Sequence, residues 1–230
     1  MFGQPISLGN FFGLHVRVDT TLLIMLLMYA LQGAANGGGT EGMIHGLTFA
    51  ALVLISVFLH EYGHAFAGSL FGIGTVEVVL HFFGGYTQYE SVPRTPFQEL
   101  VMSAAGPTVN LALAGTFYLI LQFIEADPGR SEFFDPIWPL LNGFRYINLF
   151  LGILNLLPGY PLDGGSIVRA ILTYFIPRAR ARLVVAYLGV AIGFAIAASE
   201  FPNFSTRVIL GLLLVYIASI EAIDARRSIM

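Results

Sequence analysis

The chain has 230 residues, of which 56% are hydrophobic and only 11% charged, with a formal net charge of −3 and no cysteine. A soluble domain carries about 25% charged residues, so this composition, with a mean hydropathy of +0.77, is that of a membrane protein. No basic patch stands out to bind nucleic acid, and the lack of cysteine removes disulfides, thiolate metal sites and cysteine nucleophiles together.

The N-terminal stretch "MFGQPISLGNFFGLHVRVD" has no basic region followed by an apolar run, so no cleaved signal peptide is expected. A spanning helix needs about 20 mostly apolar residues. Six segments qualify, at roughly 18–32, 46–71, 98–124, 138–158, 183–199 and 207–223. The first, fifth and sixth read as plain anchoring helices. With the N-terminus inside, the inner face holds Arg17, Arg94, Arg169, Arg178, Arg180, Arg182, Arg226 and Arg227. The outer face holds Arg130, Arg145 and Arg207. This asymmetry follows the positive-inside rule and puts both termini in the cytoplasm. The expected location is the cell membrane.

Two segments do not fit a plain bundle. "TVEVVLHFFGGYTQYE" (75–90) is rich in Val, Phe and Tyr, with Gly84-Gly85 between two extended-looking runs. This is a hairpin signal. An open sheet edge cannot face lipid, because its backbone polar groups would go unsatisfied. The hairpin must therefore lie at the interface, be buried in protein, or line a wet cavity. The second segment, "NLLPGYPLDGGS" (155–166), interrupts an apolar run with two prolines and three glycines. Pro161 cannot continue a helix built on the preceding turn. The fourth span should break here, with Asp163 at the break.

The second span contains "HEYGH". His60 and His64 are four residues apart, which puts both imidazoles on one face of a helix. This spacing suits two ligands of one zinc ion, with Glu61 beside the metal as general base. A bound zinc lowers the pKa of water towards ~7, and an adjacent carboxylate can take that proton and hand it to a leaving amine. On a soluble helix such a motif can be no more than a solvated face. Inside a membrane, each ionisable group at the centre of a span costs about 2.5–3.5 kcal/mol or more. Three of them within five residues call for a partner, and a divalent cation is a suitable one. His60 lies ten residues before Leu70, about 15 Å from that helix end. The site is therefore buried but nearer the cytoplasmic face.

Catalytic zinc usually takes three protein ligands plus water. Asp163 is the only carboxylate in the interrupted fourth span, near the same depth. His15, His45 and His81 are rivals. His45 is about 22 Å from His60 along the helix, which is too far. His15 belongs to the N-terminal approach and reads as interfacial. His81, in the hairpin, reads as a satisfied or snorkelling histidine that could also approach the site.

"HEYGH", "SAAGPTVNLALA" and "NLLPGYPLDGG" occur in this order on the second, third and fourth spans. Together they resemble the site-2 protease family of intramembrane zinc metalloproteases, over about residues 50–170. The resemblance implies that His60, His64 and Asp163 bind zinc and that Glu61 is general base and acid. It implies that Asn155 stabilises the oxyanion and that Asn110, in the Gly106-Pro107-x-x-Asn110 element, lies near the catalytic helix. The hairpin matches the family's membrane-associated β element. Its edge, over Val78–Phe83, would hold an unwound substrate segment by strand pairing. Many relatives carry a PDZ domain or paired CBS modules; neither is found in this sequence, and the few residues after the sixth span leave no room for a regulatory tail.

The expected fold is therefore an all-α polytopic membrane protein. It has about six transmembrane helices, a small membrane-associated β-hairpin and a broken fourth helix. Residues 1–230 would form one integral-membrane metalloprotease domain, with a catalytic core of about 45–175. One zinc ion per chain, the lipid bilayer, a transmembrane protein substrate and regulatory membrane proteins are the expected partners. A divalent-metal transporter is the alternative, with buried His and Asp as transient ligands; it requires several successive sites, and only one can be assembled.

Overall fold

The computed structural model describes residues 5–81, 84–199 and 206–229. The chain forms two compact units. One comprises residues 1–92 and 108–152, the other 93–107 and 153–230.

The first unit opens with strands β1 (Ile6–Phe11) and β2 (Leu14–Val18), then helix α1 (Thr21–Gly33). A five-residue π-helical turn leads into α2 (Gly39–Leu70), followed by β3 (Thr75–His81) and β4 (Gly84–Tyr89). The four strands make one sheet in the order β1-β2-β3-β4, with β2 and β3 parallel and the other pairs antiparallel. The expected hairpin is present as β3 and β4, but it is half of a larger sheet. Gly84 and Gly85 are strand residues, paired with His81 and Leu80. Val78, Val79 and Leu80 are buried, as suits a strand with neighbours on both sides. The expected edge over Val78–Phe83 is thus corrected: its described part, Val78–His81, is interior, and Phe83 lies outside the described residues. Val16, Val78 and Leu80 pack on Val57, which seats the sheet against α2 one turn before His60.

Among the described residues, five helices are long and apolar enough to cross a membrane. The chain is an integral membrane protein. The first expected span is instead the 13-residue α1, about 20 Å long, against a hydrocarbon core of about 30 Å. Val18 ends β2, and Asp19 and Thr20 separate it from the helix. Leu22 and Met25 of α1 pack on Ala50 of α2. Added methyl groups at Gly33, Gly42 or Gly46 would strike the opposing helix backbone, so small residues permit the close approach of α1 and α2.

Helix α3 (Pro96–Glu125) contributes to both units, as does α5 (Trp138–Asn155); the short α4 (Pro128–Phe134) lies between them in sequence. Asp127 caps α4, its carboxylate accepting from the Gly129 N–H at 2.8 Å. In the second unit α5 stops at Asn155, turns fill residues 156–162, and α6 (Asp163–Leu172) begins at Asp163. The expected break in the fourth span is therefore present. Gly164 packs on the Leu156 and Leu157 carbonyls and Gly165 on Gly159, leaving no space for a Cβ at either position. Helices α7 (Arg178–Ala198) and α8 (Thr206–Arg227) complete the unit; Tyr160 packs with Val185, Ala186 and Ala222. Glu99 is buried, pairing with Arg169 and, at 2.8 Å, with Arg178, while Arg169 also donates to the Tyr160 hydroxyl.

Candidate active site

His60, Glu61 and His64 lie in the last third of α2 and are only 6%, 6% and 7% exposed. Helical spacing brings the two imidazoles edge to face, with ring centroids 4.7 Å apart. Their Nε2 atoms are 3.0 Å from each other. Two nitrogens bound to one tetrahedral zinc at about 2.05 Å would be about 3.3 Å apart. The pair fits a shared cation.

The tautomer of His60 is set from behind. Asn110 of α3 uses its amide nitrogen to donate to the Ser56 carbonyl at 3.2 Å and to Asn148 Oδ1 at 2.8 Å. Its Oδ1 is then an acceptor only, so His60 Nδ1–H donates to it, at 2.5 Å. That leaves the His60 Nε2 lone pair facing His64. Asn148 of α5 donates to Ser56 Oγ and to the Phe144 carbonyl, each at 2.9 Å. Ser56 Oγ–H in turn donates to Leu52 O at 2.8 Å. Asn110, Asn148 and Ser56 are fully buried, and every polar atom of the two amides is used. Such outer partners fix a ligand's orientation and raise its basicity.

Glu61 faces the sheet. Thr87 of β4 donates its hydroxyl to Glu61 Oε2 at 2.8 Å, and Gly85 of the same strand lies against the Glu61 side chain.

A buried His-Glu-x-x-His helix with an amide-anchored imidazole is the arrangement of a zinc peptidase, and the comparisons with known proteins agree. Residues 48–196 match the family model described as "Peptidase family M50". The chain belongs to peptidase family M50. It is 32% identical over 207 residues to the "Putative zinc metalloprotease Rip3" of Mycobacterium tuberculosis, covering 84% of this chain and 52% of that one. It is 28% identical over 168 residues to a zinc metalloprotease of Methanocaldococcus jannaschii, covering 73% and 45%. The chain spans about half the length of these curated relatives. Among solved structures it resembles the site-2 protease from Methanocaldococcus jannaschii, with a TM-score of 0.69 and 25% identity over 95% of both chains. The site-2 protease resemblance read from the motifs therefore holds. Nothing in these relatives supports the transporter reading.

The M50 chain places its remaining candidates as follows. Asn155 is the last residue of α5 and Asp163 the first of α6, both half-buried in the second unit. His15 is bound to Ser7 and Asn10 at the surface of the sheet. His45 is exposed, with Glu41 one turn away. His81 ends β3, where burial pushes its imidazole below the ordinary histidine value, partly offset by the Asp19 and Glu61 carboxylates. None of these three histidines groups with His60 and His64 as a metal donor.

Sequence reading missed Ser56, Asn148, Gly85 and Thr87. Asn148 carried a usable signal. A neutral amide inside an apolar span needs a partner, by the same reasoning that singled out His60.

Proposed function

We propose that the chain is an intramembrane zinc metalloendopeptidase that hydrolyses a peptide bond within or next to a transmembrane segment of another membrane protein. The observation that carries this reading is the approach of two histidine Nε2 atoms to 3.0 Å on an apolar helix that also buries Glu61. His60, His64 and Asp163 are the proposed ligands of one zinc ion per chain. When bound, zinc supplies Lewis acidity towards water and the scissile carbonyl. Glu61 takes a proton from the attacking water and gives it to the leaving amine. Asn155, eight residues before Asp163, offers its amide N–H to the developing oxyanion. Residues 1–230 act as one metalloprotease domain, with a core of about 45–175.

The proposed setting is the cell membrane, with both termini cytoplasmic and regulation by other membrane proteins. Arginine asymmetry supports this orientation. The sheet fixes one point only: β2 precedes α1, β3 follows α2 and the two strands pair, so the chain before α1 and after α2 lies on one side.

The test is metal removal. Purified protein stripped with a chelator should lose cleavage of a transmembrane substrate. Adding back zinc to one ion per chain should restore it. Full cleavage by metal-free protein would overturn the reading.

Substrate must reach the site unwound, because a helix closes its amides within its own ladder. We assign the pairing edge to β4, which among the described residues has a strand neighbour on one side only. The chain has no cysteine, so introduced cysteines report single contacts. Tyr86→Cys should cross-link to a cysteine beside the scissile bond of a trapped substrate. Ile6→Cys, on the opposite edge strand, should not. Equal cross-linking at both positions counts against pairing on β4.

A further inference from the structure

Strand β4 does more than border the site. Its inward residues, Gly85 and Thr87, meet the Glu61 side chain from one side, while Tyr86 and Gln88 point outward. The Thr87 hydroxyl has one proton to give. Glu61 Oε2 at 2.8 Å is the closer acceptor, the Glu61 backbone oxygen lying at 3.3 Å. Carboxylate oxygens otherwise rotate about the last side-chain torsion, which is broad and roughly two-fold. One anchored oxygen removes that freedom and leaves Oε1 for proton transfer. Gly85 sets the distance. A Cβ there would lie 2.9 Å from Glu61 Cγ, 3.2 Å from Oε1 and 3.2 Å from Leu80 Cδ2. Leu80 is buried on the other side, so a side chain at 85 crowds the Glu61 side chain at a distance where something must shift.

We infer that Thr87 is a positioning residue that holds the Glu61 carboxylate through one oxygen, with Gly85 as the spacer that lets β4 approach it. The inference rests on the proposed role of Glu61 as the base. It also ties substrate to chemistry, because the strand with the open edge is the strand that orients the base.

The experiment compares Thr87→Val, which keeps shape and loses the donor, with Thr87→Ser, which keeps the donor. Thr87→Val should lower kcat by about 10-fold to about 100-fold, the scale of a misplaced catalytic group. KM should stay within about twofold, and bound zinc should remain at the parental level. Thr87→Ser should recover kcat to within about threefold. Gly85→Ala should behave like Thr87→Val, with zinc retained. A readout independent of turnover is the thermal midpoint of metal-free protein. Thr87→Val should lower it by a few degrees in the parent and by less than about one degree in a Glu61→Ala background. Parental kcat in Thr87→Val, equal loss in Thr87→Ser, loss of zinc, or an equal midpoint drop in both backgrounds would each overturn the inference. Cleavage retained by Glu61→Gln would instead remove Glu61 as the base, and the midpoint cycle would still decide whether Thr87 holds it.

Discussion

Glu61→Gln protein should bind zinc as the parent does and lose cleavage by about 1,000-fold, the middle range for a general base. The substitution is nearly isosteric. The amide oxygen still accepts from the Thr87 hydroxyl, so the contact between α2 and β4 survives. The side chain is 6% exposed, and replacing a buried carboxylate by a neutral amide does not add a desolvation cost. Folding should therefore be intact, and the thermal midpoint of metal-free protein should equal or exceed the parent's. What is lost is the ability to take a proton at neutral pH. Metal content, thermal midpoint and cleavage of one transmembrane substrate, measured on the same preparation, check all three statements. Retained cleavage with full zinc would take Glu61 out of its assigned role.

The catalytic helix was legible because its cost was legible. Three ionisable residues on an apolar span have few physical excuses, and a cation shared by His60 and His64 is one that helical spacing alone supports. The break after Asn155 was equally open to reading, since proline and glycine act locally. The sheet was only half legible. β3 and β4 are adjacent in sequence and carry β-rich residues. β1 and β2 are short, β1 carries Gly9 at positive φ, and the turn between them runs through Phe12 at φ 50° and Gly13, also at positive φ. The pairing of Val16 with Val78 joins segments separated by two helices, and no periodicity records it. Mistaking the sheet for a lone hairpin then misplaced its edge. The Thr87 contact was out of reach for the same reason: a polar residue on a strand says nothing of the helix 26 residues away that it will meet. The first helix is short because Asp19 and Thr20 separate it from β2 and the π-helical turn takes over at Ala34.

Asp163→Ala should cost zinc affinity more than the ~10–100-fold that outer partners such as Asn110 are worth. Two neutral imidazoles leave a zinc ion doubly positive in a buried site. With Asp163 as ligand and Glu61 nearby, the proposed set is formally neutral, which is the condition for keeping charge away from water at low cost. Removing Asp163 takes away one ligand and the charge balance together. Asp163→Asn separates the two, since it keeps an oxygen donor and loses the charge; its affinity should fall between those of the parent and Asp163→Ala. The surrounding loop should not move in either variant. Gly164 and Gly165 rest on backbone of residues 156–159, Tyr160 is packed against α7 and α8, and Arg169 ties Tyr160 to Glu99. Thermal midpoints of the metal-free variants therefore separate a missing carboxylate from a moved loop. Zinc titration of the three proteins against a competing chelator, with thermal midpoints measured without metal, checks this. Equal affinities across the series would leave Asp163 outside the metal site and send the search for a third ligand back to His81, which ends β3 in the sheet that meets Glu61.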